Sequence, residues 1–247
     1  MTAPQARSRP RPRQVDLIRA IKSPNESGVT LLLPIIDASG RSIGSLSPIT
    51  RQRAEEAATV QALTNWRKRY KQFFLSQFKP APERTRLWLL NAVIEVANRV
   101  LFLIADTEGR FVGHIGLIDV DEHHVEIDNV IRGEDSAPHR IMYFAEIALL
   151  KWAFASLGVM EASLRVFSDN ARAIANYRSV GFDPVIQHGL IRVERAGEVS
   201  FTPTQNPPHP GERGLLTMRI TRAGFFLRHP EPRRSAASGA RRANGET

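Results

Sequence analysis

Apolar residues recur along this chain in two periods, and the alternation between them predicts its elements. Short runs rich in branched residues read as strands: Val29–Ile36, Val100–Ala105, Phe111–Val120, Val125–Ile131 and the stretch around Leu164, Val166 and Phe167. Between them, apolar positions fall three and four apart, the spacing of one helix face. One helix is predicted after Ser47-Pro48, with Ala62, Trp66, Tyr70 and Phe73 inward, and a second after Pro82, with Leu87, Leu90, Ile94 and Ala97. A third covers Ile141–Phe154, and a short fourth carries Ile174, Tyr177 and Val180 up to Gly181. Two further strands are predicted in Pro184–Thr202 and Gly214–Thr221, separated by a Pro-rich loop placed to border a binding site. The order is strand, two helices, three strands, helix, strand, helix, two strands: a mixed α/β fold built on one sheet.

Turn chemistry supports the central meander. Asp106-Thr-Glu-Gly109 closes one hairpin and Asp121-Glu-His-His124 the next. His123 and His124 are neighbours, so on a strand they point to opposite faces and cannot share one ion; both read as turn residues, and no metal is expected. Glu126 and Asp128 are two apart, which puts both carboxylates on one strand face. On a solvated face they are ordinary polar residues. Facing a cleft, crowding and burial raise one pKa and make a general base. Ser168-Asp169-Asn170 offers three candidate caps for the short fourth helix, whose stop at Gly181 lets Phe182 pack back.

Composition narrows the function classes. A chain of 247 residues without cysteine can bury one full core and holds no disulfide, thiolate metal site or cysteine nucleophile, in keeping with a reducing cytoplasm. The formal charge is +9, of which +4 lies in residues 1–13 and +3 in residues 228–247. The body is left with +2, short of the broad basic face that phosphate backbones require, so nucleic acid is disfavoured as a partner. The expected organisation is a basic tail over 1–14, a folded domain over 15–227 and a second basic tail over 228–247. The most apolar region, Leu87–Ala105, is broken by Asn91, Glu95, Asn98 and Arg99, which argues against a membrane span.

The segment from Leu164 to Phe182 adds a family resemblance. Asn170 at a strand end, Ala173-Ile174, a Tyr seven residues after the Asn and Gly181-Phe182 together resemble the last conserved segment of the GNAT acyltransferases. The resemblance implies the GNAT fold, acetyl-CoA as co-substrate and a small-molecule amine as acceptor. Within it, Asn170 would hold the pantetheine arm, and Tyr177 would protonate the departing thiolate. Taken alone, the same residues also read as an Asn that only caps and a Tyr that only packs. The fourth strand would lie beside the acceptor amine, which gives Glu126 or Asp128 the role of base. Its Val130 and Ile131, with the helix start at Ile141 and Met142, would face the co-substrate. The family's Arg/Gln-x-x-Gly-x-Gly/Ala glycines are absent: Pro138, Arg140 and Met142 stand there, leaving Arg132, His139 and Arg140 as side-chain donors to the pyrophosphate.

Glu126–Glu134 and Leu164–Asn170 look like a GNAT branch linked to modified-sugar biosynthesis, which implies an amino sugar. A homodimer is compatible with the sequence. The missing glycines keep a second reading open, a GNAT-shaped binding module with a degenerate CoA site and no catalysis.

Overall fold

The computed structural model describes residues 8–230. Helix α1 (Pro12–Lys22) and the single turn α2 (Pro24–Ser27) precede the hairpin β1 (Leu33–Ile36) and β2 (Ser42–Pro48). A helical arm follows: α3 (Arg51–Glu55), α4 (Ala57–Tyr70), a short connection through β3 (Ser76–Gln77), and α5 (Pro82–Trp88), which runs into a wide π turn over Leu89–Ile94. The meander is β4 (Val100–Ala105), β5 (Phe111–Ile118) and β6 (His124–Arg132). Then come α6 (Ile141–Trp152), β7 (Glu161–Phe167), α7 (Ala171–Val180), β8 (Asp183–His188), β9 (Leu190–Arg195), β10 (Glu198–Pro203), β11 (Leu215–Thr221) and α8 (Arg222–Arg228).

Eight strands form one sheet in the order β1-β2-β4-β5-β6-β7-β11-β8, with β6 and β7 its parallel pair. Strand alternation sorts the core into two layers. Val100, Phe102 and Ile104 face the layer covered by α1, α6 and α7, whereas Leu101 and Leu103 face the arm, against Leu63, Trp66 and Val93. Each such fully buried side chain contributes about 1.5–3 kcal/mol, so both faces of the sheet are committed.

One irregularity in β6 positions everything functional. Gly116 pairs with Asp128 but His114 pairs with Ile131, so β6 carries an extra residue, and Asn129 takes φ 51°. This bulge inverts the alternation: Val125 and Ile127 face the α6 layer, whereas Ile131, of the same parity, faces the arm. It also ends the parallel pairing, which runs from His124↔Glu161 to Ile127↔Leu164 although both strands continue. Beyond that point β6 and β7 part and leave a cleft.

Several elements differ from expectation for physical reasons. Strand β2 reads as loop because Ser42, Gly44, Ser45 and Ser47 dilute its apolar alternation, and the helix after Pro48 starts only at Arg51, with the Thr50 hydroxyl accepting from the Arg53 amide at 3.1 Å. After Pro82 only part of the expected stripe turns inward: Leu90 and Ile94 pack into the core, whereas Leu87 and Ala97 are exposed and the wide turn buries Leu89 and Val93 beside Ile94. The region 184–202 is three strands, of which only β8 joins the main sheet; β9 and β10 pair with β3 in a separate three-stranded sheet.

Helix α1 begins at Pro12, inside the expected first tail. There Gln14 is buried, and its Nε2 donates to the Asp121 and Leu157 carbonyls, both at 2.9 Å. The folded part therefore starts before residue 15, because Gln14 satisfies two carbonyls that water cannot reach. Residues 1–7 and 231–247, half of the first expected tail and most of the second, lie outside the described residues.

Candidate active site

The cleft between the parted strands has a volume of about 470 Å³ and is closed by the start of α6 and the inner face of α7. Every site residue named from the sequence except Glu126 lines it. Asn170 caps α7, its Oδ1 accepting from the Ala173 amide at 3.3 Å, which leaves its Nδ2 facing the cleft as a donor. Two turns on, Tyr177 returns to the same side and is buried. Burial, with the negative charges of Glu146 and Asp128 adding to it, pushes the phenol far above its ordinary value, so the hydroxyl stays protonated. Gly181 ends the helix at φ 117°, and Phe182 is fully buried behind it.

Glu146, on α6, was not legible as a site residue. It is fully buried, Asn176 Nδ2 donates to its Oε1 at 2.7 Å, and its Oε2 has no hydrogen-bond partner. Burial raises its carboxyl well above the usual carboxylate range.

The loop leading into α6 replaces the family's glycines in an unexpected way. Arg140 takes the left-handed conformation, φ 57° and ψ 19°, that a glycine adopts without cost. Among the described residues the amides of His139, Arg140, Met142 and Tyr143 pair with no backbone carbonyl, so the helix opens on a row of free donors without any glycine. The Arg140 side chain lies outside this row, stacked 4.0 Å from the centre of the Tyr143 ring. Arg132 serves the loop itself: its Nη2 donates to the Asp135 and Ala137 carbonyls, both at 3.0 Å, while its buried Nε has no partner. Arg172, on the first turn of α7, adds an exposed cation to the rim. Beside the side chains expected as donors, Arg132, His139 and Arg140, the loop thus carries a row of amides, and Arg132 Nη2 ties down the loop that leads to it.

A second cavity of about 220 Å³ lies under the arm, and Phe74, Asn129 and Ile131 belong to the walls of both spaces, so the two meet at the bulge. His114 lines it from β5. Its Nδ1 sits 2.7 Å from the Asn129 carbonyl, an acceptor, so Nδ1 carries the proton and pins the bulged residue. Burial, opposed by that hydrogen bond and assisted by the charge of Arg67, lowers the His114 pKa to about 4. A polar ring between Gly113 and Gly116 in an otherwise apolar strand is the sequence signal that marks it.

The native state therefore holds His114 neutral where an unfolded chain, with its value near 6.5, would protonate it. Stability is full above pH 6.5 and falls as pH drops towards 4, by roughly 3 kcal/mol from this group. Urea unfolding at pH 7 and pH 4.5 should show a smaller acid loss for His114→Gln than for the parent; equal losses would place the acid sensitivity elsewhere.

The two candidate carboxylates are separated by depth. Asp128 reaches the cleft, bonded to Asn129 Nδ2 and, at 3.0 Å, to the Arg99 guanidinium. Glu126 sits where β6 and β7 still pair, buried, and receives Arg165 Nε at 2.7 Å. Burial raises its pKa against the pull of Arg165. Among the described residues there is no cluster of His, Cys, Asp and Glu fit to hold a metal, and no helix is long and apolar enough to cross a membrane.

A sequence profile of the acetyltransferase (GNAT) domain matches residues 45–183. No curated protein matches the chain. Among solved structures, it is similar to mutant forms of the spermidine/spermine N-acetyltransferase of Vibrio cholerae, with 15% identity, coverage of 76% of this chain and 99% of that one, and a TM-score of 0.56. The spermidine N-acetyltransferase of the same organism, in complex with CoA and spermine, shares 16% identity over 73% of this chain and 98% of its own, at a TM-score of 0.55. A GCN5-related N-acetyltransferase from Brucella melitensis shares 13% identity over 75% and 79%, also at 0.55. Likeness at these identities is one of fold. The profile, however, spans more than half of the sequence, from β2 to the start of β8, and takes in the bulge, the cleft and both of its helices: the chain belongs to the GNAT acetyltransferase family.

Proposed function

We propose that this protein moves an acetyl group from acetyl-CoA to a primary amine. The observation that carries the reading is the meeting of two cavities at the β6 bulge, one lined by free amides and the other by apolar walls, with a protonated Tyr177 facing the first. The cleft suits CoA chemically. Unpaired amides at the start of α6 and the positive end of its dipole attract a pyrophosphate, and the Asn170 side-chain amide can donate to an amide oxygen of a pantetheine arm.

In this reading the amine enters beneath the arm and attacks the thioester carbonyl at the bulge. The oxyanion forms beside the backbone amides of β6 beyond Ile127, which β7 no longer pairs. Asp128 takes the proton from the attacking nitrogen through water, and Tyr177 gives its proton to the departing sulfur. Glu126, ion-paired and away from both cavities, orients Arg165 rather than acting as the base. The resemblance noted in the sequence suggests an amino sugar as acceptor, and two of the structural neighbours act on polyamines by name.

Incubation with acetyl-CoA and a panel of amines, following free thiol, tests the proposal. Amine-dependent thiol release is expected. CoA binding by calorimetry with no release from any amine would favour the non-catalytic module, and absence of CoA binding would reject the cleft assignment altogether.

A further inference from the structure

The acceptor cavity has an unusual charge balance. Its wall holds Arg67 and Arg84 and no carboxylate; the remaining polar residues, Ser76, Thr85, His114 and Asn129, are neutral. Arg84 is neutralised at the surface by Glu198. Arg67 is not: the described residues show it no ion pair, and Asp128, whose charge acts on it from a distance, is paired with Arg99. Burial is already sufficient to pull the Arg67 guanidinium down to about 10.

Arg67 is also held still. Its guanidinium stacks 3.4 Å from the centre of the Phe74 ring, with Phe78 at 5.0 Å, and one nitrogen donates to the Ser76 carbonyl at 2.8 Å. That bond uses one of five N–H groups and leaves a planar fork inside the cavity. An unpaired, part-buried cation with fixed geometry is costly unless something negative comes to it. A polycation meets two guanidinium groups here and no carboxylate in the cavity wall.

Resting on the acetyltransferase reading above, we infer that the acceptor is a small amine carrying its own oxyanion, a carboxylate or a phosphate, which Arg67 grips while the amine points to the bulge. Size agrees with this. About 220 Å³ is below the roughly 300–1,000 Å³ typical for drug-sized ligands, and the walls of Leu63, Phe74, Phe78, Trp88 and Ile131 suit an apolar or aromatic body. An amine of amino-acid size fits all three features.

The test compares matched pairs in the thiol-release assay: phenylalanine against phenylalaninamide, glucosamine 6-phosphate against glucosamine, and spermidine alone. The anionic member of at least one pair should have a kcat/KM about 10- to 100-fold above its neutral partner, the range of a charge-assisted hydrogen bond, and spermidine should be the poorest. Which pair shows the preference distinguishes carboxylate from phosphate. In Arg67→Gln the preference ratio should collapse towards one, mainly through KM, and Arg67→Lys should restore part of it; a general loss of packing would lower both members equally and leave the ratio intact. Equal use of both members, or a preference for spermidine, overturns the inference while leaving the acetyltransferase reading standing. If no amine turns over, that reading fails instead. The inference is then decided by calorimetry of N-acetylphenylalanine and its amide in the presence of CoA. Tighter binding of the acid, lost in Arg67→Gln, supports it, and equal binding or no binding overturns it.

Discussion

Tyr177→Phe should lower turnover about ten- to a thousandfold and leave the fold and the CoA dissociation constant nearly unchanged. The ring is part of the core: it is buried, and its centre lies 6.3 Å from that of Phe182 in an edge-on contact that the substitution keeps. What is removed is a hydroxyl whose pKa burial has raised, so that it is present as an O–H donor at neutral pH. Such a group is needed only when negative charge develops on sulfur, and an interaction made only in the transition state is lost from kcat rather than from KM. Stopped-flow or steady-state thiol release on parent and variant, with CoA affinity measured in parallel, separates the two roles. Parent-level turnover across the pH range would make Tyr177 a packing residue and leave the thiolate to be protonated by water.

The parts of the site that sequence made visible are those whose chemistry is local. A cap, two helical turns and a stop can be read from Asn170, Tyr177 and Gly181 because each depends on residues within about one helical turn of it. The cleft itself is not local. It exists because one extra residue enters β6 opposite Ile115 and ends the pairing with β7, and nothing in Glu-Ile-Asp-Asn-Val-Ile announces a bulge. Alternation taken at face value places Glu126 and Asp128 side by side in the cleft; the end of the ladder at Ile127 separates them, leaving one at the opening and the other buried behind it.

The absent glycines show the reverse case, a sequence departure with little structural consequence. Only the backbone conformation is needed for amides to face an anion, and Arg140 adopts it at φ 57°, accepting a strain of about 1–2 kcal/mol for a residue with a Cβ. Composition could not reveal this, because αL geometry in a non-glycine residue is imposed by the surrounding loop, here the Arg132 bonds to the carbonyls of Asp135 and Ala137. Arg67 and His114 escape sequence reading for another reason. Each sits in an element read only for its apolar stripe, and each gains meaning from a residue beyond the end of that element, Phe74 and Ser76 in one case and Asn129 in the other.

Lys22→Met should cost about 3–5 kcal/mol of stability and lower the melting temperature by roughly 6–20 °C. The Lys22 ammonium is buried and donates to four carbonyls: Val93 at 3.0 Å, Ile94 and Val96 at 2.8 Å, and Arg99 at 3.2 Å. Carbonyls at a helix end have no partners of their own, and the wide turn that ends at Ile94 delivers several of them to one point. Burial lowers the Lys22 pKa to about 8, partly opposed by Glu95, so at pH 7 it remains charged with all three N–H groups available to that ring of acceptors. Methionine fills the same length with no donor, and each buried carbonyl then bears a desolvation cost of about 1–3 kcal/mol. Because the same turn follows directly from Trp88, a wall of the acceptor cavity, loosening it should also raise the acceptor KM while CoA affinity, set on the far side of the bulge, changes little. Differential scanning calorimetry gives the first quantity and the thiol assay the second. A melting temperature within 2 °C of the parent would mean that the four carbonyls find other partners, and that α1 does not hold the arm in place.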